Sequence, residues 1–163
     1  MSRNERVETM QLSEILRPDA VKVVGNVSSK KRLFQDLGEI VASTYGLDAT
    51  TAFNALQDRE SLGPTGVGHG IALPHARIKG LDKVIGAFVR IEKPLDFDAV
   101  DRQPVDLVFA LFAPDGAGVD HLKALALVSR TMRDADVCAK LRANEDPVAL
   151  HSILTEWEAT RAA

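Results

Sequence analysis

A single cysteine, Cys138, stands among the 163 residues. One thiol cannot close an internal disulfide, and its scarcity fits a reducing compartment and a cytoplasmic protein. Basic charge is not in excess either: 20 Lys and Arg are set against 23 Asp and Glu, a formal charge of −3. That balance argues against nucleic acid as the main partner. No apolar run approaches the roughly 18 residues needed to span a bilayer, so the chain is not expected to be membrane-embedded. The opening Met1-Ser2-Arg3-Asn4-Glu5-Arg6-Val7-Glu8 has no apolar core of the kind a signal peptide carries. Internal repeats, low-complexity tracts and inter-domain linkers are missing too. No Gly-Lys-Ser/Thr follows the glycine-rich stretch, as a nucleotide P-loop would require. The spacing Gly66-x-Gly68-x-Gly70 lacks the third glycine of the dinucleotide fingerprint and follows a helix rather than a strand.

What remains is an ordinary globular composition, 45% hydrophobic and 26% charged. It suits one domain over residues 11–160, preceded by a flexible polar segment over 1–10. Leu12–Leu16 reads as a helical turn before Pro18, and Ala20–Val24 as a strand closed by Gly25-Asn26. Ser28 or Ser29 caps a helix with apolar positions at Leu33, Leu37, Ile40 and Val41, ending at Gly46. Asp48 caps a second helix through Phe53 and Leu56. Short Ile71–Leu73, then Val84–Ile91 and the almost wholly apolar Val105–Phe112, are the remaining strands. Helices follow from about Val119 to Met132, after Asp134, and from Pro147, where the stripe is Leu150, Ile153, Leu154 and Trp157. About four strands among five or more helices predict an α/β fold, a small mixed β-sheet flanked by helices on both faces.

Chemistry concentrates in Gly63-Pro64-Thr65-Gly66-Val67-Gly68-His69-Gly70-Ile71-Ala72-Leu73-Pro74-His75-Ala76-Arg77. Glycines allow positive φ, and successive N–H groups in such a turn can cradle an anion. Proline biases its neighbours toward extended backbone, so His75 is expected where a short strand gives way to a loop. An anion cradle (Gly66, Gly68, His69, Gly70) beside a placed imidazole points to histidine phosphoryl chemistry, for which neutral His75 would be the nucleophile. Arg59 could offer its fork of donors to phosphate oxygens or be a solvated helix-end cation. His121, at the start of a helix, could donate to the transferring oxygens or be a polar cap. Asp120 could orient it or itself be the cap. His69 reads as an accessory group, His151 as solvated, and Cys138 as a core or half-buried residue. His69, His75 and His121 could in principle hold zinc, but their spacing is no recognised ligand set, and neither metal nor cofactor is expected.

Arg59-Glu60 followed by Gly63-x-Thr65-Gly66-x-Gly68-x-Gly70-Ile71-Ala72-x-Pro74-His75 resembles the active-site signature of the IIA proteins of the bacterial phosphoenolpyruvate phosphotransferase system, mannitol/fructose class. Phe97-Asp98-Ala99-Val100-Asp101-x-Gln103-Pro104-Val105-Asp106-Leu107 and His121-Leu122-x-x-Leu125-x-Leu127-Val128 bring it nearer the nitrogen-related branch, as do Leu12-Ser13 and Ser29-Lys30-Lys31-Arg32. The resemblance runs from about Leu12 to Trp157. It implies the mannitol/fructose-type IIA fold, phosphorylation of His75 through Nε2 by an HPr-like phosphocarrier, and His121 and Arg59 as the other active-site residues. It also implies a regulator read through its phosphorylation state, with targets such as potassium transporters, sensor kinases or alarmone enzymes. The alternatives are a sugar-specific IIA that passes phosphate to a IIB domain, and a module that binds an anion or partner non-covalently. One departure is His69, where relatives commonly carry asparagine.

Overall fold

A computed structural model describes residues 10–162, with side chains as far as Glu156. The flexible segment expected over residues 1–10 falls almost entirely outside them, as does the Trp157 side chain. Helix α1 (Leu12–Ile15) is a single turn, followed after Pro18–Ala20 by β1 (Val21–Val24). The Ser29 hydroxyl accepts the Arg32 N–H at 3.0 Å and starts α2 (Lys30–Tyr45), which ends on Gly46 at φ 78°. Asp48 starts α3 (Ala49–Glu60) in the same way through the Thr51 N–H at 2.9 Å. Three short strands follow, β2 (Gly66–Gly68), β3 (Ile71–Ala72) and β4 (His75–Ile78). Two long ones come next, β5 (Ile85–Leu95) and β6 (Val105–Pro114). The chain closes with α4 (Val119–Arg133), the Asp134-capped α5 (Ala135–Arg142) and α6 (Pro147–Ala162).

The six strands form one sheet in the order β1-β5-β6-β3-β2, with β4 also on β6. Strand β6 is the axis: β5 runs antiparallel along one edge, while β3 and β4 run parallel along the other. Strand β1 lies parallel to β5, and β2 antiparallel to β3. Side chains alternate between the faces of a strand, yet every residue from Leu107 to Ala113 is buried. Both faces of the sheet are therefore covered. Helices α2 and α3 pack on β5 and β4, whereas α4 and α6 pack on β6 and β1, with α5 against α4 and α6. Phe34, Phe88, Phe97, Phe109 and Phe112 are fully enclosed between these layers. Each such side chain contributes roughly 1.5–3 kcal/mol relative to an exposed one.

Three expectations change. The sheet has six strands rather than about four, because Gly66–Gly68 and His75–Ile78 are strands and not loop. Strand β5 passes through the turn-like Lys93-Pro94 to Leu95, where its pairing with β6 is irregular and β1 has already ended at Val24 opposite Ile91. A proline is tolerated there because no regular ladder needs its missing N–H. His151 is half-buried rather than solvated, its Nε2 2.9 Å from the Leu16 carbonyl. Helix α6 leans on α1 as well as on β1, so its buried face is wider than the apolar stripe suggested.

Candidate functional site

Strands β3 and β4 occupy one line on the edge of β6. Ile71 pairs with Leu107 and His75 with Leu111, the same offset on either side of Leu73-Pro74. The two are one strand with a break at a proline, whose missing N–H leaves a gap in the ladder. On either side of the break, Leu73 N–H donates to the Thr65 carbonyl at 2.9 Å and the Pro74 carbonyl accepts from Leu111 N–H at 2.9 Å. The Leu73 carbonyl turns to the imidazole instead: His75 Nδ1 lies 2.9 Å from it. A carbonyl can only accept, so Nδ1 carries the proton and donates. Nε2 is left with a lone pair.

Because β4 is a strand, alternation puts His75 and Arg77 on one face, with Ala76 and Ile78 buried on the other. Helix α4 leaves the C-terminal end of β6 and brings His121, in its first turn, to that same face. The His75 and His121 rings stand edge to face with centroids 5.6 Å apart and planes at 67°. Arg77 Nε donates to His121 Nδ1 at 3.3 Å. Arginine can only donate, so His121 in its neutral form keeps its proton on Nε2. His121 is 6% exposed, and that Nε2 is buried with no hydrogen-bond partner among the described residues. A buried donor without an acceptor costs about 1–3 kcal/mol, a deficit that an anionic oxygen arriving beside His75 would relieve.

Both rings are biased toward the neutral form. Burial pushes the His75 pKa below its ordinary value, and the Arg59 guanidinium adds to that, while the bond to Leu73 and the Glu60 charge act the other way. Burial also lowers His121, helped by His75 and Arg77. Arg59 sits in the last turn of α3, half-buried, with Nη1 donating to the Gly63 carbonyl at 3.0 Å and the rest of its fork uncommitted among the described residues. Next to it, Glu60 accepts from Thr65 Oγ1 at 2.6 Å, from Thr65 N–H at 3.1 Å and from Lys30 Nζ at 2.9 Å, fixing the start of the glycine-rich segment.

That segment is a hairpin. Strands β2 and β3 pair Gly66 with Ala72 and Gly68 with Ile71, leaving His69 and Gly70 as a two-residue turn at φ 57° and 79°. Two consecutive positive φ values are the mark of a tight primed turn, for which Asn-Gly is the favoured sequence. The N–H of His69 goes to Asp101 at 2.9 Å and its carbonyl to Arg142 Nη2 at 2.8 Å. Arg142 in turn grips Asp106 with two bonds of 2.9 Å. A Cβ at Gly70 would lie 2.6 Å from Arg142 Nη2, and one at Gly66 2.8 Å from the Ala99 Cβ. The expected anion cradle of Gly66, Gly68, His69 and Gly70 is thus a tight turn whose His69 N–H is already taken by a carboxylate. Its contacts lie with Asp101, Asp106 and Arg142, not with His75.

His75, His121 and the charge of Arg59 are brought together as expected; His69 is not part of that group. His69, His75 and His121 do not converge, and among the described residues no three His, Cys, Asp or Glu side chains could hold a metal ion. Asp120 is neither cap nor orienting group: Gly118 occupies the cap position, and the His121 Nδ1 partner is Arg77. Cys138 is buried in α5, its thiol donating to the Met132 carbonyl at 3.1 Å and its pKa raised by burial. Arg77, a basic neighbour of His75 in sequence, was given no role of its own. Its signal was present as the i+2 spacing from His75, but only for a reader who continued the strand past Pro74.

Fold and site define a class: a mixed α/β protein that presents one accessible imidazole nitrogen beside a second, buried histidine and two arginines, an arrangement suited to moving an anionic group on and off nitrogen. The family model for the phosphoenolpyruvate-dependent sugar phosphotransferase system, EIIA 2, matches residues 14–157. The chain belongs to that family, a phosphotransfer component of the system. It is 44% identical over 153 residues to a nitrogen regulatory protein of Bradyrhizobium diazoefficiens, covering 94% of this chain and all of the relative. Among solved structures it resembles nitrogen regulatory protein IIA-Ntr from Neisseria meningitidis at a TM-score of 0.80 and 35% identity, covering 88% of this chain and 98% of that one. The fold is shared with IIA mannitol from Escherichia coli at a TM-score of 0.68 and 20% identity, covering 82% and 95%. No helix among the described residues is long and apolar enough to cross a membrane.

Proposed function

We propose that this chain is a phosphohistidine carrier of a nitrogen-related phosphotransferase system, accepting phosphate on Nε2 of His75 from an HPr-like phosphocarrier. The observation that carries the reading is the paired tautomers. Nδ1 of His75 is tied to Leu73, leaving its Nε2 lone pair free, and the partnerless N–H of His121 is beside it. The lone pair forms the new N–P bond as the donor's N–P bond breaks and its electron pair returns to the donor imidazole. The Nδ1 proton stays against the Leu73 carbonyl, which disperses the positive charge that builds on the ring. Negative charge on the phosphoryl oxygens is met by His121 Nε2–H and by Arg59. Positioning and electrostatics supply the catalysis. Arg77 acts through His121 by fixing its tautomer. The hairpin Gly66–Gly70 serves as a scaffold for the strand that bears His75.

A regulatory role, in which other proteins read the phosphorylation state, is supported by the names of the relatives matched at high coverage. Potassium transporters, sensor kinases and alarmone enzymes are candidate readers. The sugar-type alternative, with onward transfer to a IIB domain, keeps the same chemistry at His75. Incubation with phosphoenolpyruvate, enzyme I and the phosphocarrier tests the proposal. One acid-labile, base-stable phosphate on the native chain and none on His75→Ala is expected. Labelling of His75→Ala on another histidine, or no labelling of the native chain, would overturn it. Onward transfer to a purified IIB would favour the sugar type over the regulator.

A further inference from the structure

A cleft of about 610 Å³ opens between the β2–β3 hairpin and the junction of α4 with α5, with Leu73 on its lining. That volume is in the range of ~300–1,000 Å³ typical of small-ligand sites. Its floor is apolar, made by Ile71, Leu73 and Met132, with Cys138 below; the Cys138 thiol is already spent on the Met132 carbonyl. Two of its polar residues, Ser129 and Arg133, stand four residues apart on α4. Ser129 lines the cleft and its hydroxyl has no partner among the described residues. Arg133 also lines it, exposed, with no carboxylate in ion-pair range among those residues. Arg142 is there too, but its charge is committed to Asp106. Among the described residues no acidic side chain lines the cleft. An apolar trough whose lining carries an uncommitted guanidinium and a hydroxyl is complementary to a molecule with an aliphatic body and a single anionic head.

We propose that this cleft binds small amphipathic monoanions of the aliphatic carboxylate class, with the head on Arg133 and Ser129 and the chain over Ile71, Leu73 and Met132, and that occupancy is transmitted to His75. The transmission needs no long path. Leu73 forms part of the floor, and its own carbonyl is the acceptor that fixes the His75 tautomer at 2.9 Å. The two neighbouring polar groups of the backbone, Leu73 N–H and the Pro74 carbonyl, are held by Thr65 and Leu111. A displaced Leu73 side chain therefore turns the carbonyl between them, whose bond is to the His75 ring.

An amide-resolved NMR titration of the whole chain with sodium octanoate, and with octanol as the uncharged control, tests this. The variants are Arg133→Gln and Ala135→Phe, both at exposed positions, the second closing the mouth of the cleft. Saturable shifts at Ile71, Leu73 and Met132 are expected, weakened about tenfold by Arg133→Gln or by octanol and abolished by Ala135→Phe. The His75 imidazole resonances should move with the same saturation curve. This readout is the ring itself, so it stands or falls independently of phosphoryl transfer. Non-saturating shifts, or equal shifts in Ala135→Phe, would overturn the site. Binding indifferent to Arg133 would overturn the anion assignment, and a motionless His75 ring the coupling.

Discussion

The hairpin turn beside Gly66–Gly70 and the strand His75–Ile78 are joined through β3, which shares the β6 edge with that strand, and they treat polar groups in opposite ways. In the hairpin, charged side chains from distant parts of the chain take both backbone groups of His69: Asp101 takes its N–H, Arg142 takes its carbonyl, and Asp106 holds Arg142 in place. Around His75 the fold stops short of closure, leaving the Nε2 lone pair of one imidazole and the buried Nε2 donor of another without partners among the described residues. The conspicuous motif is the scaffold, and the chemistry sits where the hydrogen bonding is incomplete. A site that must bind an anion transiently has to keep donors unsatisfied in its absence, whereas a turn that only has to hold its shape does not.

Substitutions on the two sides should separate accordingly. With the acceptor His75 kept in place, the largest effect is expected from His121→Ala, which removes the buried donor beside it: phosphoryl acceptance by His75 should fall about 10²–10³-fold in rapid-quench labelling, with little change in stability. Unchanged acceptance would mean that the donor is idle. Gly70→Ala should do the reverse. Positive φ and the collision with Arg142 and Asp106 predict a loss of about 2 kcal/mol in urea unfolding, with the labelling rate of the folded fraction kept within a few fold.

Smaller effects concern pH. Both rings titrate below the ordinary histidine value of about 6.5. The unfolded chain therefore binds protons first as pH falls. The stability contributed by the neutral rings is complete above about 6.5 and drains away as pH drops from there through the lowered folded values. Arg59→Gln removes one of the causes that depress His75, second to burial, so the His75 titration followed by imidazole NMR should move up. A downward move would contradict the geometry. Smallest of all, His69→Asn should change unfolding free energy by no more than about 0.5 kcal/mol, since asparagine accepts the left-handed turn at least as well as histidine.

Residues that act on their neighbours in sequence were readable. Ser29, Asp48, Gly46 and Asp134 mark helix ends because capping is local, and the apolar run Val105–Phe112 announces the central strand. His75 and His121 were readable as chemistry because a proline and a helix start set them in unusual places. What escaped depends on partners far along the chain. Strand β4 exists because β6 supplies an edge in the same register that β3 uses, which no feature of His75-Ala76-Arg77-Ile78 reveals once Pro74 is taken as a stop. With the strand lost, Arg77 lost its place beside His121, and Asp120, the nearer residue in sequence, took its role. The glycines suggested an anion cradle for the same reason. Their real neighbours, Asp101, Asp106 and Arg142, come from a loop, β6 and α5, and nothing in the spacing brings those together.

The account rests on which nitrogen of His75 is free. Long-range ¹H–¹⁵N correlation of the imidazole, before and after phosphorylation of uniformly labelled protein, reads this directly. The proton should be on Nδ1 of the unmodified ring and phosphorus on Nε2 of the modified one. A proton on Nε2, or phosphorus on Nδ1 or on His69, would contradict it.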